Sequence, residues 1–375
     1  AAATNGIATG LALTGGTLAL QDASYNMKYV VDAEKVIADA DGYTRLAMLG
    51  TLKSGNLVFG SQGKGEDVGN AEEVPSTSVS LGKIDLVGGD TIMINSGQAI
   101  TIRGDGEKLI TSDSGDVKLL VGSKDNGAGT LNLGDAGLTS GGSLDGTLSI
   151  ADESTVNVRA GMFSISTMEG TSSSAITIGT AQNAGGLTVG KASLNGANVF
   201  LDPAWKDGGN LVSDASIGVF ESFANGAVDG RFAVGRNSLL VLGDKDSAWA
   251  QKAVQDALDN ADLTWGKDSV TAALAIKSSQ KLSATGALLV DGSLATAPSV
   301  TENTATFAGQ SLLVVNAAAA DGEGALQGDG TSRLSVDGGA KLHIMDVKGS
   351  QEYTVTSGFV NDKIEGWQGD DLIVS

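Results

Sequence analysis

The sequence predicts an all-β protein, a right-handed parallel β-helix in which short strands stack as the coils of a solenoid. Two observations lead to this fold class. Short alternations of apolar and polar residues recur along almost the whole chain of 375 residues, and Gly, Asn, Asp and Ser separate them, with 54 Gly but only 3 Pro in the sequence. Alternation with a period of two buries one face of each strand. The separating residues supply the positive-φ corners of tight turns.

The alternating runs follow one another from the start of the chain to its end. They are Gly16–Leu20, Gly55–Gly60, Thr91–Ile94, Ala99–Gly104, Gly129–Gly134, Gly146–Ile150, Ser154–Val158, Ala175–Gly179, Gly185–Gly190, Ala197–Asp202, Ser238–Gly243, Ser311–Val315, Arg333–Gly339, Lys341–Ile344 and Tyr353–Val355. We expect strands of about three to five residues, too short to stand as isolated hairpins. A β-sandwich would also collect short strands, but its hairpins favour longer strands and Asn-Gly turns. Irregular Gly-Asp corners instead favour coils of roughly 20–25 residues.

Residues 246–266 break the strand pattern. Apolar residues recur there at helical spacing: Ala250, Ala253, Val254, Ala257, Leu258 and Ala261. Asp246 or Ser247 can cap the start of such a helix, and Gly266 lies beyond its end. We expect an amphipathic α-helix near 246–262, inserted between coils and packed against the wall of the solenoid.

Residues 60–78 form a long polar stretch, "GSQGKGEDVGNAEEVPSTS". It is too long for a tight corner, so we expect a loop that leaves the solenoid, either simply solvated or carrying binding residues. With this loop and the helical insertion set aside, the strand pattern is continuous. We therefore interpret residues 1–375 as a single β-helical domain or fragment.

Composition and charge limit the classes of partner. The formal net charge is −20, from 44 acidic and 24 basic residues, and such a field repels nucleic acid and anionic lipid. The sequence has no apolar run long enough for a transmembrane helix. It contains no Cys, which excludes disulfides, Cys-ligated metals and thiol nucleophiles. The opening residues lack a basic region, so we expect no intact signal peptide there.

Three stretches resemble the passenger regions of bacterial autotransporters, the surface proteins of type V secretion. They are Leu194–Trp205, Gly230–Val254 and Tyr353–Ser375, and the Gly-rich texture extends the resemblance over the chain. The resemblance implies a β-helix at the bacterial surface, anchored at the outer membrane or secreted. The family's translocator is not in the sequence, so we expect a passenger fragment. Members of the family act as adhesins, aggregation factors, proteases or toxins.

The catalytic signals are weak. The one histidine, His343, alternates with Leu342 and Ile344, so we expect it to face solvent. No Gly-Asp-Ser-Gly context surrounds a serine, and "SDSGD" at Ser112–Asp116 resembles it only loosely. A Ser-His-Asp triad is therefore disfavoured. Acid pairs for glycosidase or lyase chemistry arise by chance among 44 acids and indicate nothing specific.

One stretch resembles a calcium-binding nonapeptide. "GWQGDDLIV" at 366–374 matches that repeat at Gly366, Gly369, Asp371 and Ile373, but Trp367 stands where the repeat needs a glycine. A terminal coil explains the match better, and we predict no metal, no cofactor and no catalytic residue.

Together these observations predict a non-enzymatic adhesin or aggregation factor. The expected partners are a host surface, matrix, glycan or the passenger of a sister cell, with self-association as a further possibility. Two alternatives stay open: a polysaccharide-acting β-helix enzyme, and a structural spacer that binds nothing. The sequence assigns no ligand-binding residue.

Overall fold

The computed structural model of the chain is all-β over the residues that it describes. These are residues 13–14, 17–20, 48–59, 78–81, 84–94, 99–102, 104, 106, 108–112, 117–124, 127–134, 141–201, 216–236, 238–243, 272–277, 280–292, 294, 296–298, 300, 304–308, 311–316, 326–327, 333–336, 341–345 and 372–374. No helix occurs within these ranges. The chain divides into two compact units, Ala1–Ser174 and Ala175–Ser375.

In its described part, the first unit contains twelve strands. They are β1 Leu13–Thr14, β2 Thr17–Leu20, β3 Met48–Phe59, β4 Ser78–Leu81, β5 Ile84–Ile94, β6 Ala99–Ile102, β7 Ile110–Ser112, β8 Val117–Val121, β9 Thr130–Leu133, β10 Gly142–Ile150, β11 Thr155–Val158 and β12 Gly161–Glu169. The larger sheet has the order β1-β3-β5-β8-β10-β12, with β2 on β3 and β7 on β5; the smaller has the order β4-β6-β9-β11. Neighbouring strands are parallel.

The second unit has fifteen strands in its described residues. They are β13 Ala175–Ile178, β14 Gly185–Ser193, β15 Asn198–Leu201, β16 Ser216–Phe220, β17 Arg231–Val234, β18 Ser238–Leu242, β19 Ala272–Lys277, β20 Gln280–Lys281, β21 Ala287–Asp291, β22 Thr304–Ala308, β23 Ser311–Asn316, β24 Leu326–Gln327, β25 Arg333–Val336, β26 Lys341–Met345 and β27 Leu372–Val374. The larger sheet has the order β14-β16-β18-β19-β23-β26-β27 and the smaller β13-β15-β17-β21-β22-β25, while β20 pairs with β24. These pairs are also parallel.

The core of each unit lies on the inward positions of its strands. In the first unit Leu131 and Leu133 of β9 lie in register with Val156 and Val158 of β11, and all four side chains are buried. In the second unit the rings of Phe220 in β16 and Phe232 in β17 meet edge to face, with centroids 5.0 Å apart. The larger and smaller sheets of a unit therefore share one apolar interior, as stacked coils require.

The coil length agrees with the sequence where no insertion intervenes. Thr155 pairs with Thr130, and the side chains of Asn157 and Asn132 in the same two strands are 25 residues apart in sequence. The parallel order and coil spacing confirm the all-β prediction with parallel strands and are consistent with a β-helix-like solenoid. The predicted helix near 246–262, within 246–266, and the predicted loop at 60–77 lie outside the described residues. Ser78, the end of that stretch, begins β4.

The prediction that strands are three to five residues long holds for some strands of the larger sheets, such as β8 and β16, and is wrong for others. Strands β10, β12 and β14 each have nine residues. In β10 the sequence interpretation began a new run at Gly146, but the strand continues through it with a register shift between Leu144 and Thr147. A side chain at Gly146 would collide with the backbone carbonyl of Val117. This glycine therefore permits a close approach at a bulge and does not make a corner.

Candidate functional site

The outward face of β10 and β12 in the first unit carries a concentration of hydroxyl groups. Alternation turns Leu144, Leu148 and Ile150 of β10 inward, where they are buried, and leaves their polar neighbours outside. We name the six hydroxyl residues on this surface the hydroxyl face: Ser143, Thr147, Ser149, Ser164, Ser166 and Thr167. Ser164 and Ser166 are exposed, and the other four are partly exposed.

Strand register brings the hydroxyl groups side by side. Ser143 is opposite Ser164, and Thr147 is opposite Thr167. Neighbouring strands lie about 4.8 Å apart, and residues on the same face of a strand about 6.8 Å apart. The hydroxyl face is therefore a patch two strands wide, with one paired row on each side of the register shift between Leu144 and Thr147.

The hydroxyl groups of this face have no protein partner. Among the residues that the structure describes, none of the six side chains takes part in a hydrogen bond. Each Ser or Thr hydroxyl has one donor and two acceptor positions. Because water can be exchanged for a ligand at little net cost, these groups are available for binding.

The charges around the hydroxyl face balance. Lys118 of β8 lies in register with Thr147 and is exposed, and Glu169 at the end of β12 is exposed as well. Lys108 and Asp145 form an ion pair with 2.7 Å between Nζ and Oδ2, and both side chains are more than half exposed. The surface thus has two cations and two anions, although the whole chain has a charge of −20.

One apolar side chain accompanies the hydroxyl groups. Met162, near the start of β12, is 53% exposed, and no other large hydrophobic side chain in the described residues is exposed. It alternates with Phe163, which is buried, and so lies on the same outward side as Ser164. The thioether is polarizable and adapts its shape to a neighbouring surface.

Three polar residues on the smaller sheet of the same unit are already paired. Asn157 donates from Nδ2 to Oδ1 of Asn132 over 3.0 Å, and Asn132 donates from Nδ2 to Oγ1 of Thr101 over 3.4 Å. Asn132 is only 3% exposed. We call these three residues the polar row. Its hydrogen bonds run between coils, so we assign it to stability and not to binding.

A corner of the first unit joins two turns through hydroxyl groups. Ser173 donates from Oγ to Oδ1 of Asp152 over 3.0 Å, and the amide of Glu153 donates to Oγ of Ser173. The hydroxyls of Thr171 and Ser173, in that order of effect, hold the pKa of the exposed Asp152 below its usual value, and Lys124 contributes in the same direction. Burial opposes this shift. The carboxylate of Asp152 therefore links two neighbouring turns through a hydrogen bond at the surface.

The second unit holds a buried carboxylate. Asp229 is 5% exposed and accepts hydrogen bonds from the amides of Leu194 at 3.1 Å and Asn195 at 3.2 Å. Asn195 and Gly196 both have positive φ, 50° and 84°, which turns successive amides toward one acceptor. Because the carboxylate is buried and accepts from these two amides, we assign it to closing this turn.

The residues that the sequence singled out for possible chemistry are described only in part. His343 lies in β26, in register with Val314 and Ile373, and the orientation of its side chain is outside the described residues. Ser112 ends β7, while 113–116 are not described. Of the calcium-like stretch at 366–374, only β27 is described. In the described part of the chain, no group of three His, Cys, Asp or Glu side chains could hold a metal ion.

Comparison with known protein families, curated proteins and solved structures found no match to this chain. Within the described ranges, no helix is long and apolar enough to cross a membrane.

Sequence reasoning assigned no binding residue, although a signal for the hydroxyl face was present. Both "SLDGTLSI" in β10 and "MFSISTME" in β12 alternate apolar residues with Ser or Thr. The alternation predicts which side chains face outward. It does not predict that β10 and β12 are neighbours with their hydroxyl residues in register.

Proposed function

We propose that the chain is the passenger of a bacterial autotransporter, displayed at the cell surface or secreted, and that it acts as an adhesin or aggregation factor without enzymatic activity. The hydroxyl face is the observation that carries this proposal, because its six side chains are outward and make no hydrogen bond within the part of the chain that the structure describes. The three stretches that resemble passengers, at 194–205, 230–254 and 353–375, support the same class.

The proposed fold is a right-handed parallel β-helix with the amphipathic helix near 246–262 inserted between coils. Parallel strands joined by crossovers within a sheet are right-handed in almost all proteins, and the described sheets of both units are parallel. Such a scaffold holds outward side chains at fixed positions. A ligand with a repeating surface then meets several hydrogen-bonding groups at once.

The proposed mechanism is multivalent hydrogen bonding. A single hydrogen bond contributes only about 0.5–1.5 kcal/mol net, so one hydroxyl gives weak attachment. Many copies of the chain on one cell surface add their contacts when that surface meets another. The acidic net charge opposes phosphate polymers and anionic lipid, so host surface, matrix, glycan and sister-cell passengers are the partners that fit.

The test is display of residues 1–375 on a non-adherent bacterium. We expect faster settling of the displaying cells, or attachment to epithelial cells or matrix, and a loss of that gain when the hydroxyl face is replaced. Cells that display a variant of the smaller sheet are the control. No gain of settling or attachment by the wild-type chain would contradict the proposal.

A further inference from the structure

We infer that the hydroxyl face binds a neutral, hydroxyl-rich polysaccharide in an extended conformation, with Met162 as an apolar contact beside the hydroxyl array. This inference rests on the proposed function, since it names the ligand class of the same surface. It is carried by three features of the described residues: unpartnered hydroxyls in register, balanced local charge and a single exposed thioether.

The hydrogen-bonding capacity of the face matches a sugar. A hydroxyl donates and accepts, and so does each hydroxyl of a hexose, so the two arrays complement each other without a fixed polarity. A carboxylate, phosphate or sulfate only accepts hydrogen bonds and needs a cation or several donors. The hydroxyl face offers no cluster of cations, because Lys108 is paired with Asp145 and Lys118 stands opposite Thr147.

Charge selects against ionic polymers at this surface. The two cations Lys108 and Lys118 balance the two anions Asp145 and Glu169, so the face itself favours neither sign. An anionic polymer is repelled by the net charge of −20. A cationic polymer would be attracted by acidic surfaces generally, and its binding would not depend on these hydroxyls. For a neutral ligand, in contrast, the hydroxyl groups determine the strength of binding.

Geometry favours an extended chain. Thr147 and Thr167 stand on neighbouring strands about 4.8 Å apart, which is close to the advance per sugar in an extended β-linked glucan. A glucan lying across β10 and β12 would place successive sugars over Thr147 and Thr167, which are in register. Met162 lies two residues from Ser164 on the same outward face, so a sugar over the neighbouring row of Ser143 and Ser164 would place its apolar C–H surface beside this side chain.

The test uses two matched pairs of substitutions in the full chain. The double variant T147V/T167V removes an in-register pair of hydroxyls from the hydroxyl face. The double variant T130V/T155V removes an in-register pair from the smaller sheet of the same unit. All four threonines are partly exposed, and valine keeps the branched shape that strands favour. The two variants therefore differ in location and not in chemistry.

Retention is measured by native electrophoresis through gels that contain soluble mixed-linkage β-glucan, with heparin gels in parallel. We expect the wild-type chain and T130V/T155V to be retarded by β-glucan and not by heparin. We expect T147V/T167V to bind about tenfold more weakly, as the loss of two hydrogen bonds implies. S164A/S166A gives a second reading on the same face, and circular dichroism identifies any variant that fails to fold.

The possible outcomes separate this inference from the proposed function. Absence of glucan retention, retention by heparin alone, or equal weakening of both threonine pairs overturns the inference. If cell display still gives adhesion in those cases, the proposed function stands with another ligand. If glucan retards the chain but displayed cells neither settle nor attach, the binding site stands and the adhesive function is wrong.

Discussion

The two units build the same parallel coils but finish their outward faces differently. In the first unit the outward positions of β10 and β12 include six Ser and Thr residues, and those of the smaller sheet include Thr101 and Asn132. In the second unit both faces of β18 are buried, with the consecutive residues Leu240 and Val241, which point to opposite faces, both at 0% exposure. The buried apolar residues that stack from coil to coil are common to both units and determine the fold. The residues at outward positions differ between the units and determine which ligands a surface can bind.

The smaller sheets repeat this contrast. The row that runs through Asn132 and Asn157 in the first unit is polar and hydrogen-bonded. In the second unit Phe200 lies in register with Ala233, which lies in register with Leu289, and Phe200 and Ala233 are buried. The first unit is therefore the better candidate for binding a hydrated ligand, whereas β15, β17 and β18 of the second unit carry buried apolar residues at the corresponding positions.

The largest expected difference between the two units is the effect of one aspartate introduced at an outward position of each. We expect Val241→Asp to lower the free energy of unfolding by more than about 3 kcal/mol, because it buries an unpaired carboxylate. Thr147→Asp, outward and partly exposed, should change it by less than about 0.5 kcal/mol. Urea unfolding followed by circular dichroism measures both. Similar losses at the two sites would show that the outward faces do not differ.

A smaller effect is expected when a carboxylate is removed from each unit. Asp229→Ala leaves the amides of Leu194 and Asn195 without their acceptor, and we expect a loss of about 2–3 kcal/mol. Asp229→Asn keeps one acceptor oxygen and should lose less. Asp152→Ala, at an exposed corner of the first unit, is the control and should be close to neutral. Urea midpoints rank the three variants, and a neutral Asp229→Ala would exclude the proposed role in closing the turn.

The polar row provides a test within the first unit. Asn132→Ala deprives both Thr101 and Asn157 of a partner, and we expect it to cost about 1–2 kcal/mol. Asn157→Ala removes only one described hydrogen bond and should cost less. Chemical denaturation of the two single variants gives the order. A larger loss of stability for Asn157→Ala than for Asn132→Ala would show that Asn132 is not the residue on which the polar row depends.

The smallest expected effect is the pH response of the exposed corner. The pKa of Asp152 lies below its ordinary value of 3.8, so its carboxylate favours the folded state above the unfolded pKa. This contribution is lost as the pH falls through the lower folded pKa. Carbon-detected NMR titration should show Asp152 ionised at a pH where unfolded aspartate is half protonated. Ser173→Ala should raise the pKa of Asp152 toward its ordinary value, because Ser173 donates a hydrogen bond to Oδ1 of this carboxylate; an unchanged pKa would show that Ser173 has no part.

Much of the fold could be predicted because strand alternation is a local signal. The inward Leu131 and Val156 follow from alternation alone, and parallel stacking follows from short runs with Gly-Asp corners. Strand length could not be predicted at Gly146, since a glycine can mark a corner or a bulge. The distinction depends on the carbonyl of Val117 in a neighbouring coil, which no local pattern reveals.

The candidate site was predictable only in part, because burial by a neighbouring coil leaves no mark in the local sequence. The run "SLLVL" of β18 has no polar alternation, which is typical of strands buried on both faces, whereas "GTLSI" has an outward polar side. The burial of Asn132 cannot be recognised from such a local sequence pattern. An asparagine between two leucines has the pattern of an exposed residue, and only its bonds to the coils on either side show that it is covered.

The polar row has a direction. Asn157 donates to Asn132, and Asn132 donates to Thr101, so both amide groups point their hydrogens toward the earlier coil. Aligned donors polarise one another, and reversing one amide would set two acceptors or two donors against each other. The polar row therefore specifies how neighbouring coils stack, because a slipped or inverted coil would lose its hydrogen bonds. The buried leucine and valine residues are nearly interchangeable and do not make this distinction.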